Sequence, residues 1–373
     1  MTDEEIGAVT EVLRSGWLTT GPQARAFELE FAAAVGARFA LAVNSCTSAL
    51  HLALEALGIQ PGDEVLVPTM TFAATAEVVC YLKARPVLVD CEPGSLNIDL
   101  DRAAAAVTPH TRALIPVHYA GQPCDLDAVD QLAKKHSLAV IEDAAHSFPA
   151  AVNGKPIGAH GHLTCFSFYA TKNITTGEGG MVTGDDEDLM RRMRRMCLHG
   201  ISHDAWKRYT AEGSWYYEIE DAGFKYNLTD IAAALGRVQL RRAEVMRSRR
   251  RELAALYCAR LAGIPQVELP VELPGREHAW HLFPLRLVLP RLRIDRARFL
   301  AELRARNIGA SVHFIPLHLH PFYRRQGWQP GQFPVAGAEY ERLVSLPLYS
   351  AMSDSDAQDV IDAVADIARR FSR

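Results

Sequence analysis

The feature of the sequence that most restricts its fold is an alternation of short apolar runs with helical segments through the first two-thirds of the chain. Seven runs are rich in Val, Ile, Leu and Ala, at residues 38–44, 64–68, 86–90, 112–118, 138–142, 163–168 and 179–183. Most of them are continuously apolar, which is typical of strands that are covered on both faces. Helices are predicted between them, at 22–35, 46–58, 72–83, 125–136 and 185–197. This order predicts an α/β fold with a seven-stranded, mostly parallel sheet.

The pattern changes near residue 200. Residues 199–227 are polar and aromatic without a clear period, and loops of that length are usually functional. A long helix is predicted at 230–262, with a break near Gly236. Beyond it we predict strands at 279–289 and 310–315 and helices at 295–306 and 355–371. The chain of 373 residues is therefore predicted to form a large domain at 1–240 and a smaller α+β domain at 241–373.

The composition excludes several classes of protein. Lys and Arg number 40 against 44 Asp and Glu, so the chain lacks the positive charge of a general nucleic-acid binder. The arginine clusters at 191–195 and 247–251 are predicted to be solvated helix faces. The seven cysteines include no CxxC pair and no metal-ligand spacing, so we predict free thiols and no metal site. No stretch of 18 uncharged apolar residues occurs and the N-terminus is acidic, so we expect a cytoplasmic protein with no membrane span and no signal peptide.

The turn after the first apolar run is a candidate anion site. There Asn44 and Ser45 lead into a helical segment that begins CTSALHLALEAL. The small residues and the free N–H groups of a helix N-terminus would suit a phosphate held by the amides of Thr47 and Ser48. The alternative is that Ser45 only caps a buried helix. Because Walker-A and GxGxxG patterns are both absent, such a phosphate need not belong to a nucleoside triphosphate or to NAD.

Two further strand ends carry reactive side chains. Asp143 follows the run AVIE, and ligands of open α/β sheets bind beyond the carboxyl ends of the strands. A helix cap or a structural ion pair is the alternative for this carboxylate. Lys172 follows the run CFSFYAT and precedes glycines at 177–180. Partial burial there would lower its pKa toward the neutral amine that a Schiff-base lysine needs. The alternative is a solvated surface residue, which is more common for a lone Lys. An anion cradle, a carboxylate and a lysine on one sheet are what pyridoxal 5'-phosphate (PLP) requires.

With these residues in view, the chain resembles the nucleotide-sugar aminotransferases of the DegT/StrS family, which are PLP enzymes of fold type I. The resemblance runs from SGWLTTGP at 15–22 to SLPLY at 345–349. Its most specific motifs are SFYATKNITTGEGGM around Lys172 and GFKYNLTDIAAALG around Asn227. It implies a homodimer with shared active sites, because in this family Asn227 would reach the phosphate of the neighbouring subunit's cofactor.

The resemblance implies the residues that hold the reactive part of the cofactor. Lys172 would form the Schiff base with it, and Asp143 would pair with the pyridine nitrogen. His146 would lie near the 3-hydroxyl group of the cofactor, and Phe72 would stack on its ring.

The resemblance also implies contacts to the phosphate and to the sugar. Thr47, Ser48 and Ser167 would hold the cofactor phosphate. His313 and His318 lie in a segment that matches a loop bordering the sugar pocket of the family, which makes them candidate substrate residues. The alternative for both is a structural loop histidine.

The implied reaction is the transfer of an amino group from L-glutamate to a keto sugar linked to a nucleotide. Family members that aminate carbon 3 tend to carry Gln where this chain has His146, which favours a 4-keto sugar. Similarity to enzymes of UDP-4-amino-4-deoxy-arabinose synthesis, in PVHYAGQPCDLDAV and HAWHLF, favours a UDP-sugar destined for a cell-surface polysaccharide or glycoconjugate. The alternatives are a 3-keto sugar aminotransferase of antibiotic-sugar synthesis and a non-catalytic regulator with the same fold. Family members usually carry an Arg-Pro segment before the first helix, whereas this chain is predicted to enter that helix almost at Met1.

Overall fold

The structure is a computed structural model that describes residues 1–201 and 217–373. Residues 202–216, in the middle of the predicted loop at 199–227, lie outside the described residues. The helices of the described part, α1 to α13 in chain order, are Asp3–Ser15, Pro22–Val35, Cys46–Ala56, Ala74–Tyr81, Leu100–Ala105, Leu126–His136, Glu187–Met196, Asp230–Arg241, Ala243–Leu261, Arg296–Ala305, Pro321–Arg325, Pro334–Arg342 and Asp354–Arg370. The strands of the described part, β1 to β13, are Phe39–Val43, Glu64–Pro68, Arg85–Val89, Thr111–Leu114, Ala139–Asp143, Ala151–Val152, Lys155–Pro156, Leu163–Ser167, Gly180–Gly184, Val267–Glu268, Arg276–Glu277, Phe283–Leu287 and Leu343–Leu346.

Seven of these strands form the central sheet, in the order β1-β9-β8-β5-β4-β2-β3. Strand β9 runs antiparallel to both of its neighbours, and the remaining pairs from β8 to β3 are parallel. All five residues of β2 are buried, which explains why residues 65–68 are continuously apolar rather than alternating. The structure thus confirms the predicted α/β fold with a seven-stranded, mostly parallel sheet.

The start of helix α3 is held close to the sheet by a glycine. Gly180 begins β9, and a Cβ atom at that position would lie 2.5 Å from the carbonyl carbon of Ser45. No side chain fits there, so Gly180 lets the turn between β1 and α3 rest on the strand. The buried side of α3, including Leu50 and Leu54, packs into the core of the sheet. This places the predicted anion site at the edge of the sheet where β5 and β8 also end.

A second, smaller sheet lies in the C-terminal third, where β12 pairs with β10 and β13. Helices α9 and α13 pack around it in a separate core that includes Tyr257, Phe283 and Ile361. Part of the same third, from Leu317 to Leu343, contributes instead to the core of the large sheet. The division into 1–240 and 241–373 stays a prediction, with this segment reaching back to the large sheet.

Two sequence predictions about the C-terminal third are wrong. The helix predicted at 230–262 breaks at Arg242, between α8 and α9, and not near Gly236. Gly236 lies inside α8 and does not end the helix. A Cβ atom at this position would be 2.7 Å from the ring of Phe27, so the glycine is needed for α8 to pack closely against that ring. The strand predicted at 310–315 forms only one bridge, from Ser311 to Ser345. Beyond it the chain leaves the sheet, and Phe314 packs near His146.

Features of a membrane span and of a metal site are both absent from the described residues. Within them, no helix is both long and apolar enough to cross a bilayer. Their His, Cys, Asp and Glu side chains form no group of three or more that could hold a metal ion. The seven cysteines are free thiols.

Candidate active site

Asp143 ends strand β5 as a buried carboxylate. The Thr75 hydroxyl donates a hydrogen bond of 2.8 Å to its Oδ2 atom, and the amide of Ala145 donates one of 3.1 Å to Oδ1. Burial raises the pKa of Asp143, and these hydrogen bonds together with the charge of Lys172 offset only part of that rise. A carboxylate in such surroundings is stabilised by a further cationic partner.

Lys172 follows β8 and lines a cleft of about 880 Å³. Burial lowers the pKa of Lys172, while the nearby Cys46 and Asp143 act in the opposite direction. A lower pKa increases the fraction of neutral amine, which is the form that attacks a carbonyl carbon. The structure therefore places the predicted nucleophile in an open cleft within the electrostatic reach of the predicted carboxylate.

Aromatic and imidazole rings form one wall of the site. The ring of His146 lies 4.3 Å from that of His281 and 5.7 Å from that of Phe314, measured between centroids. Phe72 is exposed, with its ring 5.8 Å from Phe314. Burial holds the pKa of His146 well below its ordinary value, and its Nδ1 atom has no hydrogen-bond partner among the described residues. His146 is thus a neutral ring with one polar atom available to a ligand.

His313 lines the same cleft as Lys172. Its Nδ1 atom lies 2.9 Å from the hydroxyl of Ser345, and burial lowers the pKa of the ring. This position is consistent with the prediction that His313 belongs to the substrate site.

His281 is a cleft residue that the sequence did not identify. The amide nitrogen of Asn173 donates to the carbonyl of Ala279 at 2.8 Å, so the other amide atom, Oδ1, faces His281 Nδ1 at 3.2 Å as an acceptor. His281 must then carry its proton on Nδ1, which leaves Nε2 as an acceptor on a ring that lines the cleft. The motif HAWHLF contains this histidine, but its spacing alone carries no chemical signal.

The turn predicted to hold a phosphate is partly used by the protein itself. The side chain of Ser45 accepts a hydrogen bond of 3.1 Å from the amide of Ser48, so the capping alternative is correct for that amide. The Ser48 hydroxyl donates to Asn44 at 2.6 Å. The amide of Thr47 has no acceptor among the described residues and remains free for an anion. Ser167 ends β8 and pairs with Gly180, the glycine that abuts Ser45, and its hydroxyl accepts from the amide of Tyr169 at 3.4 Å.

Asn227 does not line the Lys172 cleft but lies at the end of β1, beside the turn predicted to hold a phosphate. It forms a bridge with Val43, and its side chain donates to the Thr20 hydroxyl at 2.7 Å and accepts from Lys225 at 2.6 Å. It lines a different cavity, of about 700 Å³. The shared-site role of Asn227 stays a prediction.

His318 has no exposed surface. Its Nδ1 atom lies 2.8 Å from the Thr69 hydroxyl, and its ring stacks on Phe333 with the centroids 4.6 Å apart. Burial lowers the pKa of His318 to about 4. A ring enclosed in this way does not reach a sugar, so the structure does not support His318 as a substrate residue and fits a structural loop histidine.

Comparison with known proteins decides the family. Residues 1–365 match the sequence model of the DegT/DnrJ/EryC1/StrS aminotransferase family. The chain belongs to this family. The spore coat polysaccharide biosynthesis protein SpsC of Bacillus subtilis is 50% identical over 368 residues, which are 98% of this chain and 95% of SpsC.

Solved structures of related enzymes share the fold. Spr1654 from Streptococcus pneumoniae, in its PMP form, superposes with a TM-score of 0.94 at 32% identity, covering 99% of this chain and 98% of Spr1654. DesV from S. venezuelae superposes with a TM-score of 0.92 at 37% identity, covering 99% of this chain and 95% of DesV. Spr1654 was also solved in a PLP form. The family and these structures identify the chain as a PLP-dependent sugar aminotransferase of fold type I.

Lys172, Asp143 and His146 fit this cofactor. A buried carboxylate with a raised pKa suits a protonated pyridine nitrogen, and a lysine with a lowered pKa suits a covalent link to an aldehyde. The partnerless Nδ1 atom of His146 is a polar group that a ring substituent of the cofactor would satisfy.

Proposed function

We propose that the enzyme transfers the amino group of L-glutamate to carbon 4 of a 4-keto sugar linked to a nucleotide, with UDP favoured. The observation that carries the choice of carbon 4 is the identity and state of His146. It is a buried, neutral ring with a free Nδ1 atom beside the aromatic wall, at the position where 3-aminating relatives tend to have Gln. The product would be a 4-amino sugar nucleotide.

We infer the following division of work among the residues of the site. When bound, PLP supplies an electron sink for the negative charge on the carbon that loses a proton. Asp143 would hold the proton on the pyridine nitrogen, and Lys172 Nζ would take the proton from the substrate carbon and return it later. His146 would contact the 3-hydroxyl group, and Phe72 would cover the ring.

The phosphate of the cofactor is assigned to the start of α3 and the end of β8. Thr47 would donate its free amide, and Ser48 and Ser167 would contribute hydroxyl groups. A helix N-terminus favours an anion because its first N–H groups lack partners within the helix.

The sugar nucleotide is assigned to the rest of the cleft. Arg242, Arg249 and Arg250 line it, which suits the negative charge of a diphosphate. Arg250 is buried and makes hydrogen bonds only to carbonyl groups, with no carboxylate partner among the described residues. His313 and the acceptor atom of His281 would contact sugar hydroxyl groups.

The assembly and setting are proposed as follows. The enzyme would act as a cytoplasmic homodimer in which Asn227 completes the neighbouring active site. The family of the chain supports the shared active sites, and the free thiols support the cytoplasmic setting. The name of SpsC, a polysaccharide biosynthesis protein, supports a product used in a cell-surface polysaccharide or glycoconjugate.

The test converts the enzyme to the aminated form of its cofactor and adds UDP-, GDP- and dTDP-linked 3-keto and 4-keto sugars. We expect the absorbance of the PLP form to return with a UDP-linked 4-keto sugar. Return only with 3-keto sugars would reject the assignment of carbon 4. The Lys172→Ala variant is the second arm, and we expect it to lose turnover and to retain no cofactor after borohydride treatment. Appreciable transamination by that variant would refute the role of Lys172.

A further inference from the structure

Directly before Asp143 on strand β5 lies a carboxylate that the reaction does not use. Glu142 has no exposed surface, and consecutive strand residues point to opposite faces, so its side chain lies on the side of the sheet away from Asp143. His118 Nε2 lies 2.8 Å from one oxygen of Glu142. His162 Nδ1 lies 2.9 Å and the Thr164 hydroxyl 3.2 Å from the other oxygen. Glu142 therefore stands at the centre of a buried hydrogen-bond cluster.

The hydrogen bonds determine where the protons of this cluster lie. The Nδ1 atom of His118 accepts from the amide of Cys124 at 3.0 Å, so the single proton of this ring lies on Nε2 and points at Glu142. His162 faces carboxylates with both nitrogens, Glu142 through Nδ1 and Asp130 through Nε2 at 2.8 Å, so it carries both protons and a positive charge. Burial would raise the pKa of Glu142, but these hydrogen bonds outweigh it and hold the pKa well below the ordinary value.

His118 also forms a hydrogen bond to the backbone of Asp143. The amide of His118 donates to the carbonyl of Asp143 at 3.2 Å, and the amide of Asp143 donates to the carbonyl of Pro116 at 2.9 Å. His118 thus makes two hydrogen bonds to the end of β5, one to the backbone of Asp143 and one to the side chain of Glu142. Among the described residues, the Thr75 hydroxyl and the Ala145 amide are the two hydrogen-bond donors that fix the side chain of Asp143 from the other face.

We propose that His118 and Glu142 are positioning residues for Asp143: their contact behind the sheet fixes the end of β5 and so the direction of the carboxylate that holds the pyridine nitrogen. The proposal rests on the PLP chemistry of the family and not on the identity of the sugar. Loss of the contact would leave the buried carboxylate of Glu142 with fewer hydrogen-bond donors. The end of β5 would then shift as Glu142 moves toward another donor.

Three variants of the holoenzyme test the proposal. His118→Phe keeps an aromatic ring but removes the donor to Glu142, whereas His118→Gln keeps an N–H group near the place of Nε2. His136→Phe is the matched control, because its Nε2 atom has no hydrogen-bond partner among the described residues.

The first measurement is the pH midpoint of the visible absorbance of the bound cofactor. When Asp143 holds the pyridine nitrogen less well, that nitrogen carries less positive charge. We therefore expect the pH midpoint of the absorbance to rise by about 0.5–1 pH unit in His118→Phe. The second is the half-reaction with L-glutamate, in which kcat should fall roughly 10-fold while KM stays within about 2-fold, because binding is intact and orientation is not. His118→Gln should restore both values to within about 2-fold of the wild type.

A structural role alone would lower stability without moving the absorbance midpoint. If His118→Phe is folded and its midpoint and kcat equal those of His136→Phe, the proposal is wrong. If His118→Phe does not fold, Glu142→Leu removes the acceptor of His118 Nε2 and should shift the midpoint in the same direction, whereas Glu142→Gln can keep that acceptor and should not. No shift in Glu142→Leu also overturns the proposal. Because no sugar is used, these outcomes are independent of the sugar-panel result.

Discussion

Asp230 is the residue whose replacement gives the clearest quantitative test of how the described fold is held together. It lies in the motif GFKYNLTDIAAALG and is buried at the start of α8. Its Oδ1 atom accepts from the amides of Gly21 at 2.7 Å and Ala24 at 3.0 Å, and its Oδ2 atom accepts from the amide of Gln23 at 3.1 Å. Because Gly21 has no side chain to cap α2, Asp230 supplies the cap from another helix.

The cost of removing this carboxylate follows from those contacts. In Asp230→Ala the buried amides of Gly21 and Ala24 lose their acceptor, at about 1–3 kcal/mol each. Loss of a negative charge at the start of two helices adds roughly 0.5–1 kcal/mol, so we expect the free energy of unfolding to fall by about 5 kcal/mol. Asp230→Asn can keep its one carbonyl oxygen in the place of Oδ1, which receives both buried amides, so its expected loss is only about 1–2 kcal/mol.

Urea unfolding followed by circular dichroism measures both values. Asp185→Ala is the control, because the Oδ1 atom of Asp185 accepts a single amide, from Arg38 at 2.8 Å, at an exposed site. We expect that variant to lose less than about 1 kcal/mol. An Asp230→Ala variant as stable as Asp185→Ala, or an Asn variant less stable than the Ala variant, would refute the reasoning.

Two further predictions concern histidines. Burial lowers the pKa of His162, but Glu142 and Asp130 raise it by more, so the folded-state pKa lies above the ordinary 6.5. The stability from this charge is therefore complete below pH 6.5 and is lost as the pH rises through the folded-state value; urea unfolding between about pH 6 and pH 9 should show this loss in the wild type and not in His162→Phe. His318→Phe should lower the midpoint temperature of unfolding, because it removes the hydrogen bond to Thr69, and should leave KM for the sugar within about 2-fold. A 10-fold rise in that KM with unchanged stability would return His318 to the substrate site.

The sequence by itself determined the central sheet and predicted the two residues to which we assign the chemistry. Short continuous apolar runs are typical of strands that are covered on both faces, and all seven predicted strands lie in one sheet. Because parallel strands bring their carboxyl ends to one edge, Asp143 and Lys172 could be assigned from their places after apolar runs. These signals are local, so they survive without knowledge of the fold.

Only the tertiary structure decided which polar residues face the cleft and which support it. His281 lines the cleft with its proton fixed by Asn173, which is 108 positions away in the chain. Asp230 caps a helix that begins more than 200 positions earlier. His318 stands in a pattern that resembles a substrate loop, yet the fold buries it against Thr69, 249 positions away. Gly236 has the local signal of a helix break, but the close approach of Phe27 explains it. A hydrogen bond or a close contact between distant segments does not change the periodicity of either sequence segment. The positions of these residues could therefore be read only from the tertiary packing and not from the sequence pattern.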